Sequence, residues 1–413
     1  MNINKNYRNT KIACYINNLS MSVVGSVSAL LFVTFKEIYN LSYTKLGFLV
    51  LINFSTQLFI DIIFTFFSEK FNIPKTVKAM PIITFTGLVI YSVMPKLFPD
   101  IAFIWLCIGT VIFSVSAGLN EVLTSPVIAA IPSDNPEREM SKLHSIYAWG
   151  VVAVVIVSTL FLKLFENSSW TWLVLLLSVI PLLASFYFSR AVIPDTATDE
   201  NTGRNKNKQF FALILCVLCI FSGGGAECTM TQWISAFSEK ALNIPKVVGD
   251  VFGMALFALF LGAGRTLYAK YGKNIINVMT AGMLCAFICY ISAAFCSSPY
   301  LSLLFCVIIG FATSMLWPGT LILVGEKLPS VGVTAYALLA AGGDLGASTV
   351  PQLVGIISDK VAASEAAVTY ALKFNITAEQ FGIKTAMFVA GLFPLLGFIL
   401  LCFMKKYFRK NNM

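Results

Sequence analysis

The sequence predicts an all-α membrane protein of twelve transmembrane helices in two six-helix bundles, and three observations carry that prediction. Charged residues make up 12% of the 413 positions against 57% hydrophobic, where soluble globular chains carry about 25% charged residues. Apolar runs longer than ~18 residues recur along the whole length, enough to cross a bilayer as helices. The runs are continuous and not alternating, which excludes a transmembrane β-barrel.

Taken in order, the expected spans are 12–34, 46–67, 78–97, 101–131, 141–165, 169–192, 209–237, 247–268, 275–296, 300–325, 332–358 and 383–404. The basic N-terminus, MNINKNYRNTK, leads straight into the first apolar run without a cleavage site, so it reads as an uncleaved first span. With both termini cytoplasmic, 20 of the 29 Lys and Arg residues fall on the inner side, as the positive-inside rule requires of a multi-pass plasma-membrane protein. The net charge of +9 is therefore a topology signal and calls for no nucleic-acid partner. The longest polar stretch, Pro194 to Lys208, reads as a flexible cytoplasmic linker between bundles 1–193 and 209–413. An internal echo supports this halving. Ser68-Glu69-Lys70-Phe71-Asn72 after span 2 is matched by Ala269-Lys270-Tyr271-Gly272-Lys273 after span 8, at an offset of 200. Repeated six-helix units with basic loops in corresponding positions mark a two-bundle secondary transporter.

On these residues the chain resembles the major facilitator superfamily over its full length. Gly262 to Asn274 is similar to that family's Gly-Arg-basic cytoplasmic loop motif, and the first-half copy carries Glu69 and Asn72 where the motif has Asp and Gly. The resemblance makes Arg265, Glu69 and Lys70 candidates for a cytoplasmic gate. The glycine-rich span 5 ending in Gly-Pro, a mark of proton-antiporting drug exporters, is absent: Gly150 is followed by VVAVVIVSTLF.

Four acids sit inside spans: Asp61, Glu121, Glu227 and Asp344. A carboxylate at the bilayer centre costs about 2.5–3.5 kcal/mol on insertion scales, so each has to face protein or a water-filled cavity. Glu121 lies on a stripe with Ser114, Ala117, Gly118, Thr124 and Ser125, just before a Ser125-Pro126 break. Such a stripe either lines a cavity or packs against another helix, and a carboxylate in its middle favours the cavity. The sole histidine, His144, enters from the following loop with Tyr147 one turn on. Glu121, His144 and Tyr147 are thus the candidates for proton coupling and substrate contact. Glu121 with Pro126 also matches the spacing of the fucose:proton symporter branch of the superfamily. That resemblance implies that Glu121 binds sugar and takes part in proton coupling. His144 and Tyr147 stand where that branch places a Gln and an Asn, and Asn17, Asn18 and Ser20 occupy the region of its span-1 aspartate.

Span 2 presents Asn53, Gln57 and Asp61 on a single face at a spacing of four; the amides suit sugar hydroxyls, and Asp61 either joins them or pairs with a basic loop residue. Span 7 reads Ser222-Gly223-Gly224-Gly225-Ala226-Glu227 and then Gln232-Trp233. Three consecutive glycines predict a broken helix, and Glu227 is placed towards the outer half, in a substrate or outer-gate role. Trp233 either stacks on a sugar or anchors at the interface. Asp344 between glycines is the second-half candidate in span 11, and Trp317-Pro318-Gly319 predicts a break in span 10. With Asn18 of span 1, these make the expected substrate set Asn18, Asn53, Gln57, Glu227, Gln232, Trp233 and Asp344. The loop from Asp359 to Gly382 is long enough to carry a surface helix, VAASEAAVTYALKF, and Thr377 with Gln380 is spaced as a capping box for span 12.

No Lys or Arg is placed deep in a span, since Arg190 and Arg265 fall at cytoplasmic ends. A fixed cation is what an anionic solute generally wants. The expectation is therefore a monomeric secondary transporter taking up a sugar or other small neutral solute with a proton, or sodium, as coupling ion. Efflux of amphipathic or cationic compounds is the alternative. The ten cysteines lie almost wholly in apolar runs and read as packing residues. No metal, cofactor or enzymatic activity is expected.

Overall fold

A computed structural model describes residues 7–67, 70–132, 136–194, 206–328 and 333–411. Among them every regular element is a helix. The first six spans are Arg8–Tyr39, Tyr43–Phe67, Ile73–Leu97, Ala102–Ala129, Pro136–Phe165, and Trp170–Leu177 continued by Val179–Ser189. Spans 7 to 12 are Lys206–Ala236, Lys246–Tyr271, Ile275–Phe295, Pro299–Lys327, Val333–Ala362 and Ala378–Asn411, several with an internal irregularity. Eleven described segments are long and apolar enough to cross a membrane, and the 30-residue span 11 stands beside them. The all-helical membrane fold read from the sequence is the one observed.

Local chemistry sets the ends. The Asn72 side chain accepts the Lys75 N–H at 3.1 Å and caps span 3. Thr377 and Gln380 close the expected capping box at span 12, and Ser364 caps the expected surface helix, observed as Glu365–Lys373. Asn40, Asn243, Asn274 and Asn375 take positive φ, the left-handed backbone that asparagine tolerates at chain reversals.

The chain divides into two compact units. Unit 1 holds residues 1–40 and 52–199, and unit 2 holds residues 41–51 and 200–413. The expected linker falls mainly at 195–205, outside the described residues. In unit 1, spans 1 and 5 run side by side in parallel, with Asn18 bonded to Leu143 and Ser22 to Tyr147. Spans 3 and 4 meet where Gly87 faces Phe113 and Gly109 faces Tyr91. Tyr91 is fully buried there, with its hydroxyl 3.0 Å from Ser28 Oγ and its ring edge-on to Phe35, Phe113 and Trp170.

Unit 2 corrects one expectation. Span 7 is a single unbroken helix from Lys206 to Ala236, so Gly223, Gly224 and Gly225 do not interrupt it. They act as contact points. A Cβ on Gly224 would lie 2.7 Å from the Gly343 carbonyl and 3.0 Å from the Trp317 ring, and one on Gly225 2.6 Å from Val350. Opposite, Gly346 of span 11 packs on the Phe221 carbonyl. Small residues let two backbones touch where no hydrophobic drive separates protein from lipid. Span 4 likewise continues through Pro126 to Ala129, so the expected break is only a proline in the last turn. In span 10 the break is real but one turn early, at Ser314–Met315 between Pro299–Thr313 and Leu316–Lys327.

These contacts separate two glycines of similar sequence context. Gly346→Ala forces a methyl into span 7 and is expected to lower the thermal midpoint of the purified protein, an overpacking cost of about 1–3 kcal/mol. Gly262→Ala meets nothing within 4 Å and should leave the midpoint unchanged or raise it.

Candidate functional site

In unit 1 the polar face of span 2 lies along span 4. Asn53 Oδ1 accepts from Gln57 Nε2 at 2.9 Å and from Ser114 Oγ at 2.7 Å. One turn on, Gly118 allows close approach, since a Cβ there would meet Ile60 Cβ at 2.9 Å and Gln57 Cα at 3.1 Å. One turn further, carboxylate oxygens of Asp61 and Glu121 lie within 4.8 Å of each other, the first residue buried and the second exposed. The parallel course of the two helices makes each turn of span 2 meet the matching turn of span 4. Two unit negative charges at that separation repel by roughly 3–4 kcal/mol at an effective dielectric of 20, so the pair is a place where a positive charge, a proton or a cation, is favoured.

Span 4 is fixed from its other side by an amide cluster. Asn17 Nδ2 donates to Asn120 Oδ1 at 2.7 Å, Thr124 Oγ1 donates to the same oxygen, and Asn120 Nδ2 donates to Asn18 Oδ1 at 3.2 Å. Asn18 Nδ2 in turn donates to the Leu143 carbonyl at 2.6 Å. Both ends of the Asn18 amide therefore hold helices together. Tyr147 is tied to span 1: its carbonyl accepts from Ser22 Oγ at 2.9 Å, and its hydroxyl sits 3.0 Å from where a Cβ on Gly25 would be. The backbone of His144 lies in the span 5 helix; its side chain is outside what is described. At the start of that helix, Glu139 accepts the Tyr15 hydroxyl and faces Lys11 and Lys142 at 3.7 and 3.3 Å. The Tyr15 hydrogen bond, with help from the two lysines, holds the Glu139 carboxyl below its usual range.

In unit 2 Arg265 lies six residues from the end of span 8 at Tyr271, and its side chain reaches span 7. Its Nη2 donates to Glu227 Oε1 at 3.1 Å in the middle of span 7, and its Nε donates to the Ser314 carbonyl at 3.1 Å. Pro318 explains the second contact. Lacking an N–H, it leaves the carbonyl four residues back without a helical partner, and that carbonyl belongs to Ser314. Gly264, beside Arg265, packs directly on the Ser314 side chain. Arg265 thus bridges spans 7, 8 and 10, and Glu227 has a fixed cation. The other gate candidates gain no support from geometry: Lys70 stands over the Phe67 ring at 5.0 Å, and Glu69 lies outside the described residues.

Trp233 is also corrected. It is fully buried, donates Nε1 to the Pro351 carbonyl at 3.1 Å and lies 5.7 Å from the Tyr43 ring. It is neither an interfacial anchor nor an open stacking face. Gln232 and Asp344 are both buried, at 4% and 2% exposure. Two polar residues had no place in the sequence reading. Asn120, the partner of Asn17, is one; the second is Asp250, fully buried at the π-helical turn Asp250–Ala255. Asp250 accepts from Ser235 Oγ and pairs with Lys246 at 3.5 Å. The Lys246–Asp250 spacing of four was the available signal for it.

The sequence profile described as Major Facilitator Superfamily matches residues 14–351. No curated protein matches the chain significantly in sequence. Among solved structures, the fold is similar to a bacterial homologue of the human lysosomal transporter Spinster, at 14% identity and a TM-score of 0.72, with 97% of each chain covered. It is similar to a D-xylose–proton symporter at 14% identity and 0.72, covering 94% of this chain and 96% of that one. The nucleoside transporter NupG follows at 13% identity and 0.71, with 95% and 99% covered.

Two outcomes are expected from this geometry. Arg265→Met strands Glu227; with the arginine side chain 42% exposed, the cost should fall between that of surface and buried pairs, about 1–3 kcal/mol, and a second change, Glu227→Met, should recover most of it in thermal melts. For Glu139, whose folded pKa is depressed, the stabilisation is present above the ordinary carboxylate range and is lost as pH falls through the folded pKa. Melting curves across acid pH should therefore show a decline that Glu139→Gln removes, the variant starting lower at neutral pH.

Proposed function

Because the chain belongs to the major facilitator superfamily, we propose that it is a proton-coupled importer of a sugar or similar small neutral solute, working by alternating access. Transport of a small solute across a membrane follows from the family; coupling, solute class and direction are what the proposal adds. The observation that carries it is the Asp61–Glu121 approach within 4.8 Å. A proton bound there removes the mutual repulsion of the carboxylates and makes the loaded carrier cheaper to reorient. Sodium at the same pair is the competing coupling ion, and it predicts a sodium gradient as driving force.

The neutral class of solute is supported by charge balance. Arg265 is matched by Glu227, so that guanidinium is not left over for an anionic group. Asn53, Gln57 and Ser114 offer amides and a hydroxyl along spans 2 and 4, the donor and acceptor types that polyhydroxy solutes need. The D-xylose–proton symporter named above has the same fold. In this reading the protein is a monomer of the plasma membrane with both termini and the 194–208 linker cytoplasmic, as the Lys and Arg distribution favours. The 359–382 connection then lies outside.

The solute is found first, by thermal shift against sugars, nucleosides and polyols at two pH values. Uptake into proteoliposomes under an inward pH gradient is then compared with Glu121→Gln. With one proton per solute, a gradient of one unit sustains about tenfold accumulation; the variant should reach equilibrium only, while retaining solute counterflow. Uphill accumulation by Glu121→Gln equal to that of the parent sinks the assignment.

A further inference from the structure

Span 12 finishes in the helix Leu392–Asn411, whose last two turns carry Lys405, Lys406, Arg409 and Lys410. The segment 380–413 contains no Asp or Glu. Among the described residues, neither Lys406 nor Lys410 has a carboxylate within ion-pair distance. Their place on the helix is what gives them meaning. Residues 392, 396, 399, 403, 406 and 410 recur at spacings of four and three, which puts them on one face. The first four are Leu392, Leu396, Ile399 and Phe403, exposed at 43%, 45%, 55% and 49%; the last two are the exposed Lys406 and Lys410. The other side of the helix is packed, with Leu401, Met404 and Phe408 buried in the core of unit 2.

From Leu392 to Phe403 the helix rises about 16 Å, at ~1.5 Å per residue. That is the depth of one leaflet of a ~30 Å hydrocarbon core. The face is therefore built in the order of a lipid: apolar for the length of an acyl chain, then cationic. Span 7 runs alongside in the opposite sense, with Cys219 beside the Gly397 carbonyl and the Phe211 ring 5.2 Å from Tyr407. Tyr407 stacks on Phe403 with the ring planes 25° apart, so aromatic rings stand where chain gives way to headgroup, the depth such rings favour. The geometry points to a binding site for an anionic phospholipid on this face, its acyl chain along the stripe that ends at Phe403 and its phosphate between Lys406 and Lys410. A lysine ammonium binds phosphate as a compact charge on a flexible stem, which suits a mobile headgroup. Lys405 and Arg409 carry the same charge but fall off the apolar stripe, on the far side of the cationic arc.

Native mass spectrometry of the full chain in detergent counts bound lipids directly and needs neither solute nor gradient. The probes are a phosphatidylglycerol and a phosphatidylcholine with the same acyl chains. The first phosphatidylglycerol should bind at least about fivefold more tightly, the scale of one lysine beside an anionic headgroup. Lys406→Gln with Lys410→Gln should bring the two lipids level. Lys405→Gln with Arg409→Gln, which removes as much charge, should keep the preference. Phe403→Ser should weaken both lipids together. No preference in the parent overturns the site, and so does equal loss from the two pairs, which would leave only diffuse attraction to a basic helix end. Displacement of the bound lipid by inorganic phosphate, or Phe403→Ser without effect on either lipid, overturns it as well, because the apolar stripe would then contribute nothing.

Discussion

A hydrogen-bonding group at lipid depth has to find its partner inside the protein, because no water is there to take the place of one. Most of the internal layout follows from that constraint. In unit 1 the amides of Asn17, Asn18 and Asn120 satisfy one another and so lock spans 1, 4 and 5 together. In unit 2 a proline in span 10 leaves a carbonyl without a donor, an arginine from span 8 supplies it, and the same arginine neutralises a carboxylate on span 7. Neither arrangement is a site added to a finished scaffold. The polar groups fix helix rotation, and helix rotation fixes which groups are left over for solute and ion.

Glu121 is such a remainder. Its neighbour Asn120 is held from the span 1 side, so span 4 cannot turn, and residue 121 must then point towards span 2, where Asp61 stands. Gly118 brings the two helices close enough for the carboxylates to sense each other. Packing, rotation and charge thus meet within two turns of one helix, and that is why the coupling proposal is placed there and not at Glu227, whose charge is already matched.

The spans were legible because apolar length is a local signal, and the caps at Thr377 and Ser364 because capping is local too. Glu121 was legible for the same reason: one acid in an apolar run. What failed was whatever depended on a distant neighbour. Gly223, Gly224 and Gly225 weaken a helix exposed to water, but in apolar surroundings the backbone bonds have no competitor and the glycines become contact points for span 11. Arg265 stands near a helix end, but its long apolar stem carries the guanidinium well beyond its own Cα. Trp233 was read as accessible because its partner, the Pro351 carbonyl, lies 118 residues away.

Those distances along the chain have a consequence for biosynthesis. Asn17 waits 103 residues for Asn120, and Asn18 waits 125 for the Leu143 carbonyl. At ~5–20 residues synthesised per second, the amides of span 1 spend roughly 5–25 s at the membrane before their partners exist. Glu227 needs only 38 further residues before Arg265 is made. The early half of the chain is therefore the one that needs shelter during insertion, and the second half can neutralise its central charge almost as soon as it is made.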